Sequence, residues 1–575
     1  MSRVKKIDGG ELVARTLRQA GVTKVFALHG GHLESFYRGC ASNELHLVDT
    51  RHEASAGNAA EAYARVTGEL GVCVVTAGPG FANALPAILN AYVDASPTLF
   101  LIGAAPLREA ETNALQGGFD QVAIARPAAK WALTITNTER IPDLLASAVR
   151  RAMTGRRGPV VVELPIDVLH MVVPEERVSM PTGLLVRPRP APSPQEIDDL
   201  IDRLVKAKRP VIIVGGDARF SDCGAALAAF AEQSGIPVFA SKRGLGLLSA
   251  GHCCDAHEAA NLGQLAALGQ SGPDLVILAG TRLGLFLGGR GTTILPADAV
   301  LVQIYSDAAE IGRLREIQLP ICADTRAFFE ALLSASIDVR WPDWKAWTEV
   351  AVGLQNRHAA YPEVESPNGI HPYHAMRVVA DVVGKEAVYA IDGGEAGQWA
   401  VQLARTSGPG RIITTGYFGG LGVGSGYAIG AQVAAPGRRV ILVTGDGSFG
   451  FHLQELDTML RHNLPIVVVI LNNGIWGMSL HGQQIMYGKN YSSISILGER
   501  HYAAIAAAFG CYAERVMRYA DIGPAMERAL ASGKPACIEI MTDGTVVSPG
   551  LVRMLGDASD DGKHIVIPYY ENIPL

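Results

Sequence analysis

The chain has 575 residues, of which 48% are hydrophobic and 18% are charged, and it contains 64 glycines. This length exceeds a single hydrophobic core and predicts three or four domains, and the composition is typical of a well-buried α/β protein and excludes a disordered chain. The formal net charge of −6 provides no electrostatic footprint for nucleic acid, so we expect no nucleic-acid partner.

The N-terminal segment, MSRVKKIDGGELVARTLRQAGV, contains no apolar stretch that would fit a signal peptide. No run approaches about 18 apolar residues, so we expect no membrane span and a cytoplasmic protein. The eight cysteines are scattered, apart from the adjacent Cys253-Cys254, and their spacing suggests neither a zinc site nor a disulfide framework. We expect core thiols in a reducing compartment.

The order of the predicted elements indicates an α/β fold with three doubly wound parallel sheets. Apolar runs such as KVFALHG, GVCVVTAGPG and PTLFLIG in the first third, and RPVIIVGG, PDLVILAG and AVLVQIYSD in the middle, alternate with helical segments. The predicted boundaries are a first domain over 1–185, a linker over 186–196, a middle domain over 197–345, a linker over 346–372, a third domain over 373–542 and a tail over 543–575. The stretches 71–103 and 440–473 share one layout of strand, glycine-rich turn, helix and strand, so the first and third domains resemble each other.

The third domain contains the most informative pattern. Two apolar runs, 439–443 and 466–471, bracket a helical segment and predict a strand–helix–strand unit of a parallel sheet. Asp446, in the turn Gly445-Asp446-Gly447, and Asn473 follow the two strands, at the edge where such sheets bind ligands. Carboxylate and amide oxygens suit Mg²⁺, while N–H groups of the turn and of a helix beginning at Ser448 suit phosphate oxygens. A metal that holds a diphosphate explains the whole pattern, whereas Gly-Asp-Gly alone would also fit a simple turn.

Together with Asn472-Asn473 after the next strand, this pattern resembles the thiamine-diphosphate motif of the acetolactate synthase and benzaldehyde lyase superfamily. The resemblance covers essentially the whole chain and implies pyrimidine-binding, middle and diphosphate-binding domains. It implies that thiamine diphosphate lies between the first domain of one subunit and the third of another, which requires at least a homodimer, with a tetramer as the family arrangement. Mg²⁺ would then be bound by Asp446, Asn473 and the backbone carbonyl of Ile475.

Further cofactor contacts follow from the same resemblance. Glu53, in LVDTRHEASAGNAAEAYARVTG, would share a proton with the aminopyrimidine ring, although a glutamate at a helix start also has a purely structural explanation. The carbonyl of Gly419 would accept a hydrogen bond from the 4′-amino group of the cofactor, and Leu421 would support the bent cofactor. The complete set of implied cofactor-binding residues is Glu53, Gly397, Gly419, Leu421, Gly445, Asp446, Gly447, Ser448, Asn473 and Ile475.

Four more side chains are candidate catalytic residues beside Glu53. His29 and His32 lie in the turn ALHGGH after a predicted strand, and the second matches the active-site histidine of benzaldehyde lyases. Gln116, in ETNALQGGFDQVA, matches a glutamine that binds the substrate oxygen in these enzymes. Glu499, in SISILGERHY, is a candidate proton carrier. A structural histidine or a solvated polar residue is the alternative explanation for each of them.

The substrate class is indicated by differences from benzaldehyde lyases. Ile166, Gly397 and Gly482 stand where those enzymes place aromatic rings, and ELPIDVL and DGGEAGQW look more like the 2-hydroxyacyl-CoA lyase branch. The tail 543–575 is a candidate lid over the active site, or alternatively a packing segment. Lys242, Arg243 and Arg282 are candidate contacts to a CoA phosphate, but solvated surface charges are the simpler explanation.

We therefore predict a thiamine-diphosphate- and Mg²⁺-dependent carbon–carbon lyase and carboligase that splits a 2-hydroxyacyl-CoA into formyl-CoA and an aldehyde or ketone. A benzaldehyde-lyase-type enzyme acting on free acyloins is the second reading, and an acetolactate synthase-like decarboxylase and ligase is the third. A catalytically silent subunit is disfavoured because Glu53, Asp446 and Asn473 are all present.

Overall fold

A computed structural model of the chain describes residues 5–109, 112, 115–183, 187–357, 361–406 and 408–555. The described residues form two compact units. The first is drawn from Met1–Pro188, Thr415–Gly437 and His452–Leu464, and the second from Arg189–Thr414, Arg438–Phe451 and Pro465–Leu575. Three six-stranded parallel sheets are present, which confirms the predicted α/β class.

The first sheet belongs to the first unit. The strands of this part of the chain are β1 (Lys6–Asp8), β2 (Lys24–Ala27), β3 (His46–Asp49), β4 (Gly71–Val75), β5 (Thr98–Ala104), β6 (Trp131–Thr134), β7 (Val160–Pro165) and β8 (Val172–Pro174). The helices are α1 (Gly9–Gln19), α2 (Glu34–Ser42), α3 (Glu53–Thr67), α4 (Pro79–Val93), α5 (Gln121–Ala125), α6 (Ile141–Met153) and α7 (Ile166–His170). The sheet order is β3-β2-β4-β5-β7-β6, while β1 pairs with β8 in an antiparallel ribbon. Because β4 and β5 are buried along their whole length, their sequences are apolar without alternation.

The second sheet lies in the second unit. Its strands are β9 (Pro210–Val214), β10 (Val238–Ala240), β11 (Asp255–Glu258), β12 (Leu275–Ala279), β13 (Val300–Tyr305) and β14 (Leu319–Cys322). The accompanying helices are α8 (Pro194–Leu204), α9 (Gly216–Phe220), α10 (Gly224–Ser234), α11 (Thr325–Ala335) and α12 (Lys345–Gly353). The order β11-β10-β9-β12-β13-β14 is that of a dinucleotide-binding fold, with the first strand in the centre.

The third sheet also lies in the second unit. The strands after α12 are β15 (Glu365–Ser366), β16 (Gly369–Ile370), β17 (Val388–Ile391), β18 (Ile412–Thr414), β19 (Val440–Gly445), β20 (Val467–Asn472), β21 (Tyr512–Val516) and β22 (Ala536–Met541). The helices of this part of the chain are α13 (Pro372–Val383), α14 (Glu395–Leu403), α15 (Val423–Ala434), α16 (Asp446–Phe449), α17 (Glu455–Arg461), α18 (Gly477–Tyr487), α19 (Tyr502–Phe509), α20 (Ile522–Ala531) and α21 (Pro549–Leu555). Of these, α15 and α17 belong to the first unit. The sheet order is β18-β17-β19-β20-β22-β21, and β15 and β16 form a short antiparallel hairpin.

The first and third sheets have the same topology. Numbered within each sheet, both follow the order 2-1-3-4-6-5. The two stretches that share a layout in the sequence, β4 to β5 and β19 to β20, occupy equivalent positions in the two sheets. In such a sheet the second strand is added on one side of the first strand and the third strand on the other side. Ligands bind in the crevice outside the carboxyl ends of the first and third strands, where the strand order reverses. The crevices are therefore beside β2 and β4 in one unit, and beside β17 and β19 in the other.

Within the first unit, α15 packs directly on α3. A Cβ atom on Gly426 would lie 2.7 Å from the carbonyl oxygen of Ser55, and one on Gly430 would lie 2.1 Å from that of Ala59. The two helices therefore run in the same direction, with only glycine permitting so close an approach. Their N-terminal ends lie at the same side of the pair, which brings the start of α3 near the turn that precedes α15.

Within the described parts of the chain, every helix is too short or too polar to span a bilayer. All eight cysteines are free thiols. Six of them are buried, as predicted, but Cys253 and Cys322 are exposed, because a turn and a sheet end place them at the surface.

Candidate functional site

In the first unit, His32 lies in the predicted crevice of the sheet. It occupies a short 3₁₀ turn after β2, and its Nδ1 is 3.1 Å from Oγ1 of Thr76, the residue that follows β4. A Cβ atom on Gly30 would lie 2.2 Å from Cβ of Thr76, so the turn needs glycine for this approach. Burial lowers the pKa of His32, which keeps its imidazole neutral near pH 7. A neutral imidazole can accept a proton from a ligand hydroxyl.

Gln116 lies close to the same crevice. It is half-buried with a left-handed backbone (φ 57°), and a Cβ atom on Gly78, two residues after Thr76, would lie 3.0 Å from its Cα. Gln121 is a residue that the sequence analysis missed. Its buried side chain accepts the N–H of Gly78 at 2.8 Å and donates to the carbonyl of Gly103 at 3.1 Å, so it holds the turn in place. The stretch that contains Gln116 includes this second glutamine, which was the available signal.

His29 occupies the same loop as His32 but is exposed. Its Nε2 is 2.8 Å from the Glu34 carboxylate, and its ring stacks on Tyr37 at 5.2 Å. These contacts direct the ring toward the start of α2. Its catalytic role stays a prediction.

Glu53 is the first residue of α3 and is 7% exposed. Its Oε2 accepts a hydrogen bond of 3.0 Å from Nδ2 of Asn83 in α4, a partner that the sequence analysis did not identify. The turn before α15 holds Gly419, with φ 67°, and Leu421, which is 37% exposed. Because α3 and α15 begin at the same side, the structure brings Glu53 and this turn to one end of the helix pair.

In the second unit, Asp446 and Asn473 are brought together as predicted. Asp446 follows β19 and is 4% exposed, and the backbone N–H groups of Asn473 and Gly474, after β20, donate to its carboxylate. The side-chain oxygen of Asn473 accepts the N–H of Ile475 at 3.2 Å. The short helix α16 begins at Asp446 rather than at the predicted Ser448. Two side-chain oxygens and a turn backbone thus converge at one strand edge.

The electrostatics of this edge indicate a positive ligand. Burial raises the pKa of Asp446 to about 6, although the backbone N–H groups partly offset it. A buried carboxylate that is ionised at neutral pH is stabilised by a nearby cation. Carboxylate, amide and carbonyl oxygens form a hard donor set that fits Mg²⁺.

The loop after β17 closes the other side of this crevice. A Cβ atom on Gly393 would lie 3.2 Å from Oγ of Ser448 and 3.3 Å from the backbone nitrogen of Gly445. Glycine at position 393, with its φ of 95°, therefore permits the close approach of this loop to Gly445 and Ser448. Gly397 lies further along, buried within α14.

Asn472, the first of the asparagine pair, has a structural role. It is fully buried, and its Nδ2 donates to Glu539 Oε1 at 2.7 Å and to the carbonyl of Arg500 at 3.2 Å. Its Oδ1 accepts the N–H of Gly474 at 3.1 Å. Asn472 thereby fixes the turn that carries Asn473.

A buried ion pair beside this edge was not predicted. His481 Nδ1 lies 2.7 Å from Oε2 of Glu395, and its Nε2 lies 2.9 Å from the carbonyl of Gly544. The other carboxylate oxygen of Glu395 accepts the N–H of Ser548 at 2.8 Å. A Cβ atom on Gly477 would lie 2.6 Å from Glu395 and 3.3 Å from Nδ2 of Asn473, so the pair adjoins the candidate metal ligands. Its two members are 86 positions apart, too far for a local pattern to reveal.

Glu499 lies near the candidate metal edge but faces solvent. The N–H of the preceding Gly498 donates to the carbonyl of Gly474 at 2.9 Å. Glu499 forms an ion pair with Arg515, which lowers the pKa of the carboxyl. In this state it is an acceptor of protons rather than a donor, and its role as a proton carrier stays a prediction.

The residues chosen for substrate class are dispersed. Ile166 begins α7 in the first unit, and Gly482 is buried in α18 in the second. The expectation of solvated surface charges is wrong for all three basic residues, because each of them is partly buried. Lys242 is partly buried with Nζ 4.2 Å from the centre of the Phe286 ring, and Arg282 is 14% exposed and lies 3.6 Å from Glu310. Arg243 packs against Gly216. Of the candidate lid, residues 543–555 are described and end in α21, whereas 556–575 lie outside the described residues.

Comparison with known proteins places these sites in a family. Three family models match the chain: "Thiamine pyrophosphate enzyme, N-terminal TPP binding domain" over residues 7–124, "central domain" over 197–332 and "C-terminal TPP binding domain" over 392–540. The sequence is 34% identical over 554 residues to an acetolactate synthase large subunit of Mycobacterium tuberculosis, which covers 94% of this chain and 97% of the relative. It is 31% identical over 540 residues to human 2-hydroxyacyl-CoA lyase 2, covering 86% of this chain and 83% of the relative.

These matches confirm the resemblance drawn from the sequence motifs. The N-terminal and C-terminal binding-domain matches include, respectively, the crevice with His32 and Glu53 and the crevice with Asp446 and Asn473. The chain therefore belongs to the family of thiamine pyrophosphate (thiamine diphosphate) enzymes.

Proposed function

We propose that this enzyme is a Mg²⁺-dependent carbon–carbon lyase and carboligase, and that it cleaves a 2-hydroxyacyl-CoA into formyl-CoA and an aldehyde or ketone. The observation that carries the proposal is the neutral, half-buried His32 at the switch point of the first sheet, hydrogen-bonded through Nδ1 to Thr76. Cleavage next to a hydroxyl requires removal of the hydroxyl proton, whereas loss of CO₂ from a 2-keto acid does not. A base at this position therefore favours a 2-hydroxy substrate.

The metal would be held by Asp446, Asn473 and the carbonyl of Ile475. The hard donor set and the raised pKa of Asp446 support this assignment. The backbone N–H groups from Gly445 to Ser448 would bind the diphosphate. When bound, thiamine diphosphate supplies a carbon nucleophile and an electron sink for the broken bond.

The protein side chains would supply the proton transfers and the positioning. Glu53 is buried and hydrogen-bonded to Asn83, and it would keep a proton at the aminopyrimidine ring nitrogen. The carbonyl of Gly419 would accept a hydrogen bond from the 4′-amino group. Leu421 would support the rings of the cofactor. His32 would take the 2-hydroxyl proton as the bond between the carbonyl carbon and the hydroxyl-bearing carbon breaks, and Gln116 would bind the substrate oxygen. The products balance as formyl-CoA and an aldehyde or ketone.

An acetolactate synthase reaction is the second candidate. It is supported by the relatives of that name that match 94% of the chain. A benzaldehyde-lyase reaction is less favoured, since Ile166, Gly397 and Gly482 remove three rings that would stack on an aryl substrate.

We also propose a homo-oligomer, at least a dimer. The turn that carries Leu421 exposes Tyr417 (37%) and Phe418 (39%) as well, and a cluster of large apolar side chains at the surface favours coverage by a partner. Light scattering of the purified enzyme tests this, and a monomer at working concentration would contradict it.

The experiment is a product assay with thiamine diphosphate and Mg²⁺. A short 2-hydroxyacyl-CoA, pyruvate and benzoin are offered separately, and formyl-CoA, acetolactate and benzaldehyde are measured. We expect formyl-CoA. Acetolactate alone would replace the lyase proposal with the synthase, and benzaldehyde alone would replace it with the acyloin lyase.

A variant series tests the assigned roles in the same assay. His32→Ala should lower lyase turnover by about 10²–10⁴-fold, the usual contribution of a general base. The matched control is His170→Ala, an exposed histidine at the end of α7, which should leave turnover unchanged. Asp446→Ala should abolish Mg²⁺-dependent binding of thiamine diphosphate in calorimetry, and retained binding would refute the metal assignment.

A further inference from the structure

A cluster of soft ligands lies in the middle sheet domain, away from the cofactor residues. His252, Cys253 and Cys254 occupy the turn before β11, and one ligand atom from each lies within 4.8 Å of the others. The Sγ atoms of the two cysteines are 3.8 Å apart, and Sγ of Cys253 is 3.9 Å from Nδ1 of His252. The motif is a histidine followed by two cysteines.

A carboxylate orients the histidine of this cluster. Nε2 of His252 lies 3.2 Å from Oε1 of Glu232, which comes from α10. The backbone N–H of Cys254 donates to Nδ1 at 3.2 Å, so Nδ1 is the unprotonated nitrogen and Nε2–H donates to Glu232. A histidine whose second nitrogen donates to a carboxylate is the usual arrangement of a metal-binding imidazole. Glu232 thus leaves Nδ1, which lies on the side of the ring that faces Cys253 and Cys254, as the nitrogen with the free lone pair.

The distances match a tetrahedral metal centre. With zinc–sulfur bonds of about 2.3 Å, two thiolates at the tetrahedral angle are about 3.8 Å apart. With a zinc–nitrogen bond of about 2.0 Å, nitrogen and sulfur are about 3.5 Å apart. The observed separations of 3.8 Å and 3.9 Å lie within a few tenths of an ångström of these values, and the ligand atoms of His252 and Cys254 lie within 4.8 Å of each other.

We propose that His252 Nδ1, Cys253 Sγ and Cys254 Sγ form a binding site for a borderline-soft divalent cation of the Zn²⁺ class. A water molecule completes the fourth position. Binding replaces the Cys254 N–H contact at Nδ1 and releases two thiol protons to solvent, so that two thiolates and one neutral imidazole hold the ion. The site is independent of the cofactor and of the reaction.

Metal binding would restrict the conformation of the turn that contains the three ligands. Ala250 N–H donates to the carbonyl of Thr406 at 3.2 Å, and Asp255 begins β11, so both ends of the turn are already anchored. A metal would fix its centre, while Glu232 would link it to α10. Cys254 is buried with its Sγ 3.4 Å from the carbonyl of Ala231 in the same helix, which defines the inner wall of the site.

Acid should release the ion. Burial raises the pKa of Cys254 to about 12, and Cys253 contributes further. The metal must displace this proton, and protons compete better as pH falls. The affinity should therefore decrease steadily from alkaline to acidic solution.

The test is titration of the chelator-treated full-length protein with Zn²⁺ alone, against a chromophoric chelator, followed by substitution with Co²⁺. We expect one Zn²⁺ per chain and the thiolate-to-cobalt charge-transfer absorption of a tetrahedral site. Cys253→Ser should abolish that absorption, and because Cys253 is exposed the change should not disturb folding. Glu232→Ala should weaken Zn²⁺ binding by about 10–100-fold, as loss of a histidine-orienting carboxylate does.

The control is Cys322→Ser, which removes the other exposed thiol, at the end of β14. It should bind Zn²⁺ as the unmodified protein does. Absence of stoichiometric Zn²⁺, or equal binding by the Cys253→Ser variant, would overturn the proposal. A Glu232→Ala variant with unchanged affinity for Zn²⁺ would show that Glu232 does not orient His252 for metal binding, and that the two cysteines alone account for the affinity.

Discussion

Replacing Glu395 by alanine should destabilise the C-terminal end of the second unit strongly. Glu395 is 6% exposed and His481 is 1% exposed, and their contact of 2.7 Å is accompanied by bonds of 2.8 Å to Ser548 and 2.9 Å to Gly544. Removing one partner of a buried pair leaves the other charge uncompensated, which costs about 3–5 kcal/mol. At about 1.4 kcal/mol per factor of ten, amide exchange in 544–548 should accelerate by about two to three and a half powers of ten.

The effect should depend on pH. Burial lowers the pKa of His481, but the hydrogen bond and charge of Glu395 and the Gly544 carbonyl outweigh it and raise the pKa above its ordinary value. The stabilisation by the charged pair is then fully present below about pH 6.5, the unfolded value, and is lost as pH rises through the raised pKa. The difference between the variant and the unmodified protein should be larger near about pH 6 than near about pH 9.

Hydrogen exchange with mass spectrometry measures both effects directly. The matched control is Glu386→Ala, which breaks a surface pair with Arg411 at 2.9 Å whose carboxylate side chain is 71% exposed. It should change stability by at most about 1 kcal/mol. Equal protection of 544–548 in the Glu395→Ala variant and the unmodified protein at acidic pH would show that the pair does not hold this segment.

Three further outcomes are expected. Glu53→Gln should retain Mg²⁺ and thiamine diphosphate binding by calorimetry but lose about 10²–10⁴-fold in turnover, and full activity would refute the proton-sharing role. Since burial lowers the pKa of His32, lyase activity should fall only on the acid side, as the imidazole becomes protonated, and this limb should disappear from the profile of residual His32→Ala activity. Gly430→Ala should cost about 1–3 kcal/mol in urea unfolding, because its Cβ would lie 2.1 Å from the Ala59 oxygen; Gly437→Ala, with no atom within 4 Å, should be neutral.

The short-range patterns of the sequence predicted the elements that position the candidate site. Apolar β-branched runs predicted β19 and β20, and the polar residues after them, Asp446 and Asn473, meet at one edge as expected. This succeeds because all carboxyl ends of a parallel sheet lie on one side, so position in the chain determines position in space. The shared layout of 71–103 and 440–473 likewise predicted that the first and third domains resemble each other, and their sheets have the same strand order.

The tertiary structure decided the partners of the candidate residues. Gln121 reaches Gly78 over 43 positions, His481 reaches Glu395 over 86, and Glu232 reaches His252 over 20. No periodicity connects such residues, because their approach depends on how whole helices pack. The consecutive His252, Cys253 and Cys254 gave no metal signal because they lack the usual ligand spacing of zinc sites, and only packing places Glu232 beside the histidine. By itself the sequence determined which residues follow the strand ends at the crevices, because all strands of a parallel sheet end on the same side. Packing decided which of their side chains face the crevices and which groups orient them.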